Sequence, residues 1–174
     1  MALCYGNTIV GTSGVNGDIF YISPDNTTFM LSDGASGAGK EGKVVMSRHC
    51  AKTIEKNPFI SSGLSEKEYL DKIIRKINND LIDISQKSNT YTFGTLVVCV
   101  VKNNIATIAS IGDSPAYFIH KNSIKRVAKT QKTYQNLIEM GVFTEEQAEE
   151  YIKKLPGHMH SMLDRFIPMV VPVY

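Results

Sequence analysis

The sequence predicts an α+β domain in which helices pack on antiparallel sheet. Short apolar segments bounded by turn residues occupy the first part of the chain, two helical patterns follow, and then paired short strands and further helical patterns. The sequence contains no internal repeat and no low-complexity tract. We therefore expect a single domain over residues 1–174.

Strands and turns alternate at the start of the chain. We expect three strands there, at Leu3 to Val10, Asp18 to Ile22 and Thr28 to Ser32. A glycine-containing stretch and a Pro-Asp-Asn turn separate them. This opening is expected to be antiparallel.

Two helices are predicted next. The first covers about residues 43–55, and its expected buried face consists of Val45, Met46, Cys50, Ala51 and Ile54. The second follows the pair Ser65 and Glu68, which has the spacing of a capping box. Apolar residues at helical spacing then predict a core-facing stripe of Leu70, Ile73, Ile74, Ile77, Leu81 and Ile84.

Two hairpins are predicted after a polar loop at Gln86 to Tyr91. The turn residues Asn103-Asn104 and Lys121-Asn122 mark their centres. The expected strands are Leu96 to Lys102 with Ile105 to Ile111, and Tyr117 to His120 with Ser123 to Val127. Helical patterns return at Tyr134 to Met140 and after a second capping-box pair, Thr144 and Gln147.

Composition argues against several classes of protein. The net charge is +2 and the basic residues are scattered, so we expect neither nucleic acid nor membrane as a partner. The first ten residues have no basic start and no long apolar stretch, which predicts a cytoplasmic protein. Three cysteines, Cys4, Cys50 and Cys99, form no CxxC pair and are expected to be reduced, buried thiols.

Three aspartates at strand ends are candidate metal ligands. Asp33 ends an apolar strand, and Gly34 and other small residues follow it. Carboxylate and carbonyl oxygens are the ligands that magnesium and manganese prefer. Asp18 begins the strand that leads toward Asp33, so their carboxylates are expected to converge, and Asp113 follows a later apolar strand. Each alone is more often a turn residue than a metal ligand, and only the combination favours a metal site.

The same stretch also matches a phosphate-binding loop. Gly34 to Lys40 has the pattern GxxxxGK between a strand and a helix. The next residue is Glu41, where the motif needs Ser or Thr, and the motif normally follows a strand of a parallel βαβ unit. The nucleotide-binding alternative is therefore the weaker one. On the following helix, His49 is expected to be a packing or surface histidine rather than a general acid.

Five ordered features resemble the type 2C (PPM) family of metal-dependent protein serine/threonine phosphatases. They are Asn16-Gly17-Asp18, Phe29 to Gly34, the two helices, Phe93 to Val98, and Ile111 to Tyr117. The resemblance covers about residues 5–155. Asn136 to Glu150 is also similar to the mobile flap segment of bacterial members.

The resemblance implies a layered fold, an antiparallel β-sandwich flanked by helices, with a binuclear manganese or magnesium centre. Asp33 would bridge the two metals, the Gly34 carbonyl would add a ligand, Asp18 would lie in or next to the coordination sphere, and Asp113 would hold a weaker third metal. The implied reaction is hydrolysis of phosphoserine and phosphothreonine in proteins by a metal-activated water, in bacterial signalling.

The sequence also departs from the family pattern. The family completes its centre with two later aspartates, whereas Asp164 is the only aspartate after Asp113 here, and Thr130-Gln131-Lys132 replaces an Asp-His pair. These departures leave a second hypothesis open, a truncated or inactive phosphatase-like domain that binds a phosphoprotein or another partner. Missing C-terminal strands would leave a sheet edge open, and pairing of two copies at that edge into a homodimer is a further hypothesis.

Overall fold

The computed structural model describes residues 4–12, 14–128, 144–147 and 150. Within this part of the chain the elements are β1 (Asp18–Ile22), β2 (Thr28–Gly34), α1 (Gly39–Lys56), α2 (Glu66–Ser88), β3 (Gly94–Lys102), β4 (Ile105–Ile111), β5 (Tyr117–His120) and β6 (Ser123–Arg126). The first four strands form one antiparallel sheet in the order β1-β2-β3-β4, and β5 pairs with β6 in a separate antiparallel hairpin. The predicted α+β class is confirmed.

The core lies between one face of the four-stranded sheet and the two helices. Along β2, Met30 and Ser32 are buried on this face, whereas Leu31 and Asp33 are exposed on the other. This alternation follows from the two-residue period of a strand. The core is made of side chains from both layers, among them Met30, Met46, Cys50, Ile54, Leu70, Ile73, Ile77, Leu81, Leu96, Val98, Val100 and Ala109.

Helix α1 begins four residues before its predicted start, at Gly39. Met46, Cys50 and Ile54 are buried as predicted, but Val45 is 37% exposed. Lys43 is buried instead, because residues 43, 46, 50 and 54 follow the helical repeat on the core-facing side. The predicted buried face is therefore wrong at Val45.

Helix α2 has the capping box that the sequence predicted. Ser65 accepts a hydrogen bond from the Glu68 backbone N–H, and the Glu68 side chain accepts one from the Ser65 backbone. The predicted core stripe is buried at Leu70, Ile73, Ile77 and Leu81, with Ile74 and Ile84 half-buried. The helix continues to Ser88 and ends at Asn89, whose φ of 51° is left-handed. The polar loop therefore starts three residues later than predicted.

The two predicted hairpins are both present. Asn103 and Asn104 have φ values of 51° and 61°, the backbone that a two-residue turn between right-twisted strands requires. The second hairpin turns at Lys121, and its last strand ends at Arg126, one residue before the predicted end. β2 runs two residues past its predicted end, to Gly34.

The predicted strand at Leu3 to Val10 is wrong over residues 4–10, which form no strand. Ile9 and Val10 are 79% and 59% exposed, so this segment has no buried face to hold it in a sheet. Cys4 is exposed, which corrects the expectation of a buried thiol at that position, whereas Cys50 is buried and Cys99 half-buried.

Beyond residue 128 few predictions can be compared with the structure. Thr144 and Gln147 form the expected capping box, with backbone-to-side-chain hydrogen bonds of 3.0 and 3.2 Å. The predicted helix at 134–140, the stretch 130–132 and Asp164 lie outside the described residues. In the part that is described, no helix is both long enough and apolar enough to span a membrane.

Candidate metal site

The candidate site is a row of residues paired across neighbouring strands. Asp18, the first residue of β1, is the register partner of Asp33 in β2, and Asp33 is in turn the partner of Thr95 in β3. Directly paired residues of antiparallel strands project to the same face. The two aspartates therefore meet on the sheet face opposite the helices, which confirms the convergence expected from the sequence.

The environment of Asp33 disfavours its ionised form. Burial of the carboxyl group among surrounding protein atoms raises its pKa from 3.8 to about 6, even though much of its surface remains open to solvent. Its hydrogen bond with Asp18 and the negative charges of Asp18 and Asp113 act in the same direction, and the positive charge of Lys43 opposes them. Two ionised carboxyl groups this close repel each other. A divalent cation bound between them would relieve that repulsion.

Glycines allow the backbone to close around this pair. A Cβ on Gly34 would lie 2.1 Å from the Lys43 carbonyl oxygen, and one on Gly94 would lie 2.1 Å from the Asp33 carbonyl oxygen. The backbone of α1 therefore rests directly on the end of β2, and β3 begins directly against it. Any side chain at either glycine would displace the backbone that holds Asp33.

A turn brings Asp113 to the same end of the sheet. Gly112 has a φ of +89°, and a Cβ there would lie 2.7 Å from the Thr95 side chain. The Oγ1 atom of Thr95 and the Oγ atom of Ser114 are hydrogen-bonded at 2.5 Å, and Arg126 Nη2 donates to the Asp113 carbonyl at 3.5 Å. The contacts of Gly112 and Ser114 with Thr95 hold the turn against β3, and the Arg126 contact links it to β6. From this turn the charge of Asp113 raises the pKa of Asp33.

Sequence reasoning missed Thr95, Arg126 and Lys43 as residues of this site. Thr95 follows Gly94 at the start of a strand, and only the register shows that it pairs with Asp33. Arg126 belongs to a different sheet from Asp33. Lys43 had a recognisable signal, since it is a charged residue in line with the core-facing positions of α1.

The donor groups fit a hard divalent cation. The Asp18 and Asp33 carboxylates and the Gly34 carbonyl are all oxygen donors, which suit magnesium and manganese. Across the described residues, no cluster contains three or more His, Cys, Asp or Glu side chains placed to hold a metal ion. Asp18 and Asp33 are thus a pair of carboxylates on one face of the sheet, with Asp113 nearby.

The alternative of a nucleotide-binding loop loses its structural context. β2, which precedes Gly34 to Lys40, is antiparallel to both of its neighbours, β1 and β3. A phosphate-binding loop of the GxxxxGK type belongs to a parallel βαβ unit. His49 is a packing residue as expected, because its Nε2 atom lies 3.2 Å from Asp80 Oδ2 on α2 and 3.1 Å from Thr53 Oγ1.

Comparisons with known proteins find similarity among solved structures. No family model matches the sequence, and no curated protein matches it. The Mycobacterium tuberculosis serine/threonine phosphatase PstP superposes with a TM-score of 0.61 at 20% identity, over 82% of this chain and 59% of that one. Serine/threonine phosphatase Stp1 from Staphylococcus aureus gives a TM-score of 0.59 at 25% identity, over 75% of this chain and 54% of that one.

A third structure is the catalytic domain of the phosphatase PstP in complex with two manganese ions. Its TM-score is 0.61 at 22% identity, and the similarity covers 80% of this chain and 59% of that one. The chain thus spans between 54% and 59% of the length of these three proteins.

Proposed function

This chain has the fold of the bacterial type 2C (PPM) serine/threonine phosphatases, and we propose that it is a metal-dependent phosphatase domain that hydrolyses phosphoserine and phosphothreonine in proteins. The observation that carries the proposal is the pairing of Asp18 with Asp33 at the ends of β1 and β2. Because the chain spans 54% to 59% of the phosphatases compared, the activity of a whole phosphatase is itself part of the proposal.

Asp18, Asp33 and the Gly34 carbonyl are the groups that we expect to hold Mn²⁺ or Mg²⁺ in a binuclear centre, with Asp113 at a weaker third position. The pKa of about 6 at Asp33 supports this assignment, because the ionised pair is electrostatically unfavourable without a cation. The manganese ions in the PstP catalytic domain favour manganese.

Bound ions of this kind supply a water of lowered pKa and neutralise the charge of a phosphoryl group. The residues of the chain itself bind these ions and orient the groups that hold them. Asp33, the residue we assign to catalysis, is held between Asp18 and Thr95 in the sheet, so its side chain projects from the same face as Asp18. The close contacts at Gly34 and Gly94 keep side chains away from the strand end, where a ligand has to approach the backbone.

Phosphoserine and phosphothreonine proteins are the proposed substrates, and bacterial signalling in the cytoplasm is the proposed setting. The predicted homodimer stays a prediction. In the described part of the chain, β1 and β4 are the outer strands of the four-stranded sheet, and outer strands are where a second copy would pair. A single monomeric species in concentrated solution by sedimentation equilibrium would contradict it.

Hydrolysis of a phosphothreonine peptide with and without Mn²⁺ tests the proposed function. We expect manganese-dependent turnover by the wild type and its loss in Asp33→Asn, which keeps the shape of the side chain but removes its charge. Asp83→Asn, on the exposed side of α2, is the matched control and should keep the activity. Turnover that persists in Asp33→Asn would refute the role assigned to Asp33.

A further inference from the structure

Among the described residues, Lys43 is the one charged residue that is buried, with 8% of its surface exposed. Lysine is almost never fully buried without a partner, because the ammonium group loses its hydration. Its position on the core-facing side of α1 therefore requires a specific contact, and the structure provides one.

The Lys43 ammonium group reaches from α1 to the segment that precedes β1. Its Nζ atom donates a hydrogen bond to the Val15 carbonyl at 2.9 Å. The aliphatic part of the side chain covers Gly17, where a Cβ would lie 2.8 Å from Lys43 Cδ. The backbone of the same residue presses on Gly34. One residue thus contacts both the entry to β1 and the end of β2.

The contacted segment leads directly into Asp18. The Gly17 carbonyl accepts a hydrogen bond from the Gly34 N–H at 3.1 Å, and the Asn16 side chain accepts one from the Asp18 N–H at 2.9 Å. Asp18 is the first residue of β1 and has one strand neighbour, β2. Its position therefore depends on residues 15–17 as well as on the sheet.

We propose that Lys43 is a positioning residue for Asp18. It tethers the Val15 to Gly17 segment to α1, and this tether fixes where the Asp18 carboxylate meets Asp33. The role of Asp18 as a metal ligand rests on the proposed function, whereas the tether itself does not. If Lys43 acted only as a nearby positive charge that weakens cation binding, its replacement would raise the metal affinity. The positioning role predicts that the same replacement lowers it.

Amide hydrogen exchange measures the tether without any metal. In Lys43→Met, which keeps an unbranched stem but has no donor, we expect exchange of the Gly34 N–H to be faster by about tenfold. The Ser23 N–H, bonded to the Thr28 carbonyl at the other end of the same hairpin, is the internal control and should be unchanged. Lys43→Arg keeps a donor and should retain protection at Gly34.

Unchanged exchange at Gly34, equal acceleration at Gly34 and Ser23, or loss of protection in Lys43→Arg as well would overturn the tether. If Lys43→Met does not fold, Gly17→Ala tests the same contact from the other side. The added methyl group would meet the Lys43 stem at 2.8 Å and the Gly34 carbonyl at 3.0 Å, so it should also accelerate exchange at Gly34.

Titration calorimetry with Mn²⁺ tests the consequence for the site. We expect Lys43→Met to bind Mn²⁺ about tenfold more weakly, the size of effect seen when a residue that orients a metal ligand is removed. Equal or tighter binding would overturn the positioning role and favour the simple charge effect. If the wild type binds no Mn²⁺, the proposed function fails, and the exchange pattern still decides whether the tether exists.

Discussion

Asp18 and Asp33 face each other as register partners across the first two strands, and the proximity of Asp18 raises the pKa of Asp33. Such a pair stores electrostatic repulsion that is relieved by a proton or by a cation. Its titration, its effect on stability and its response to manganese therefore all follow from the same contact.

The ranking of the charges around Asp33 can be measured by carboxyl ¹³C titration. Replacement of Asp18 by Asn removes the larger of the two acidic influences, so it should lower the pKa of Asp33 from about 6 more than Asp113→Asn does. Lys43→Met should raise that pKa, because it removes the opposing positive charge. A larger effect from Asp113→Asn than from Asp18→Asn would contradict the geometry described.

Stability should depend on pH through the same group. The pKa of Asp33 is raised in the folded chain, so proton binding favours folding. This contribution is complete below pH 3.8 and is lost as the pH rises through about 6. Asp33→Asn cannot ionise and does not lose it. The variant should therefore gain stability relative to the wild type across this window, measured by urea unfolding without metal. A difference that stays constant over this range would show that Asp33 titrates normally.

Manganese should stabilise the folded chain through this site. At a free Mn²⁺ concentration of about 100 times the dissociation constant, linkage predicts a gain of about 2.7 kcal/mol in the free energy of unfolding. Thermal unfolding at neutral pH should show the gain in wild type and in Asp83→Asn, but little of it in Asp33→Asn. An equal gain in Asp33→Asn would locate the stabilising ion elsewhere.

The contact between α1 and the end of β2 predicts a stability cost at Gly34. Gly34→Ala would place a methyl carbon 2.1 Å from the Lys43 carbonyl oxygen, and the backbone would have to move. We expect a loss of about 1 to 3 kcal/mol, the usual cost of overpacking. Gly11→Ala is the matched control, because nothing lies within 4 Å of its added Cβ, and it should stay within about 0.5 kcal/mol of the wild type. Urea midpoints would measure both, and equal values would contradict the close approach.

Local patterns in the sequence predicted much of the fold. The Ser65 and Glu68 capping box and the Asn103-Asn104 turn depend on residues close in the chain, so their chemistry can be recognised from the sequence. The meeting of Asp18 and Asp33 was also predictable, since a short turn joins their strands.

The features that the sequence did not predict depend on contacts between distant parts of the chain. Residues 4–10 have an apolar pattern but no partner strand, so the expected strand is not formed. Thr95 and Ser114 bond across 19 residues of sequence, and Lys43 bonds to Val15 across 28. Register and packing determine such contacts, and no local pattern reports them. The assignments of Asp18, Asp33, Gly34 and Asp113 as metal ligands, and of Asp33 to catalysis, stay predictions.

Alternate residues of strand β2 serve two different parts of the molecule. Ser32 is buried in the core beneath the helices, and Asp33 lies on the opposite face, where it pairs with Asp18. A slip of one residue in its pairing would exchange the two sets, placing the Asp33 carboxyl in the apolar core and moving Ser32 to the surface. An insertion or deletion inside β2 would therefore damage stability and metal binding together. We therefore expect sequence variation that adjusts this site to consist of substitutions within β2. Insertions and deletions are expected only in the turns on either side of the strand.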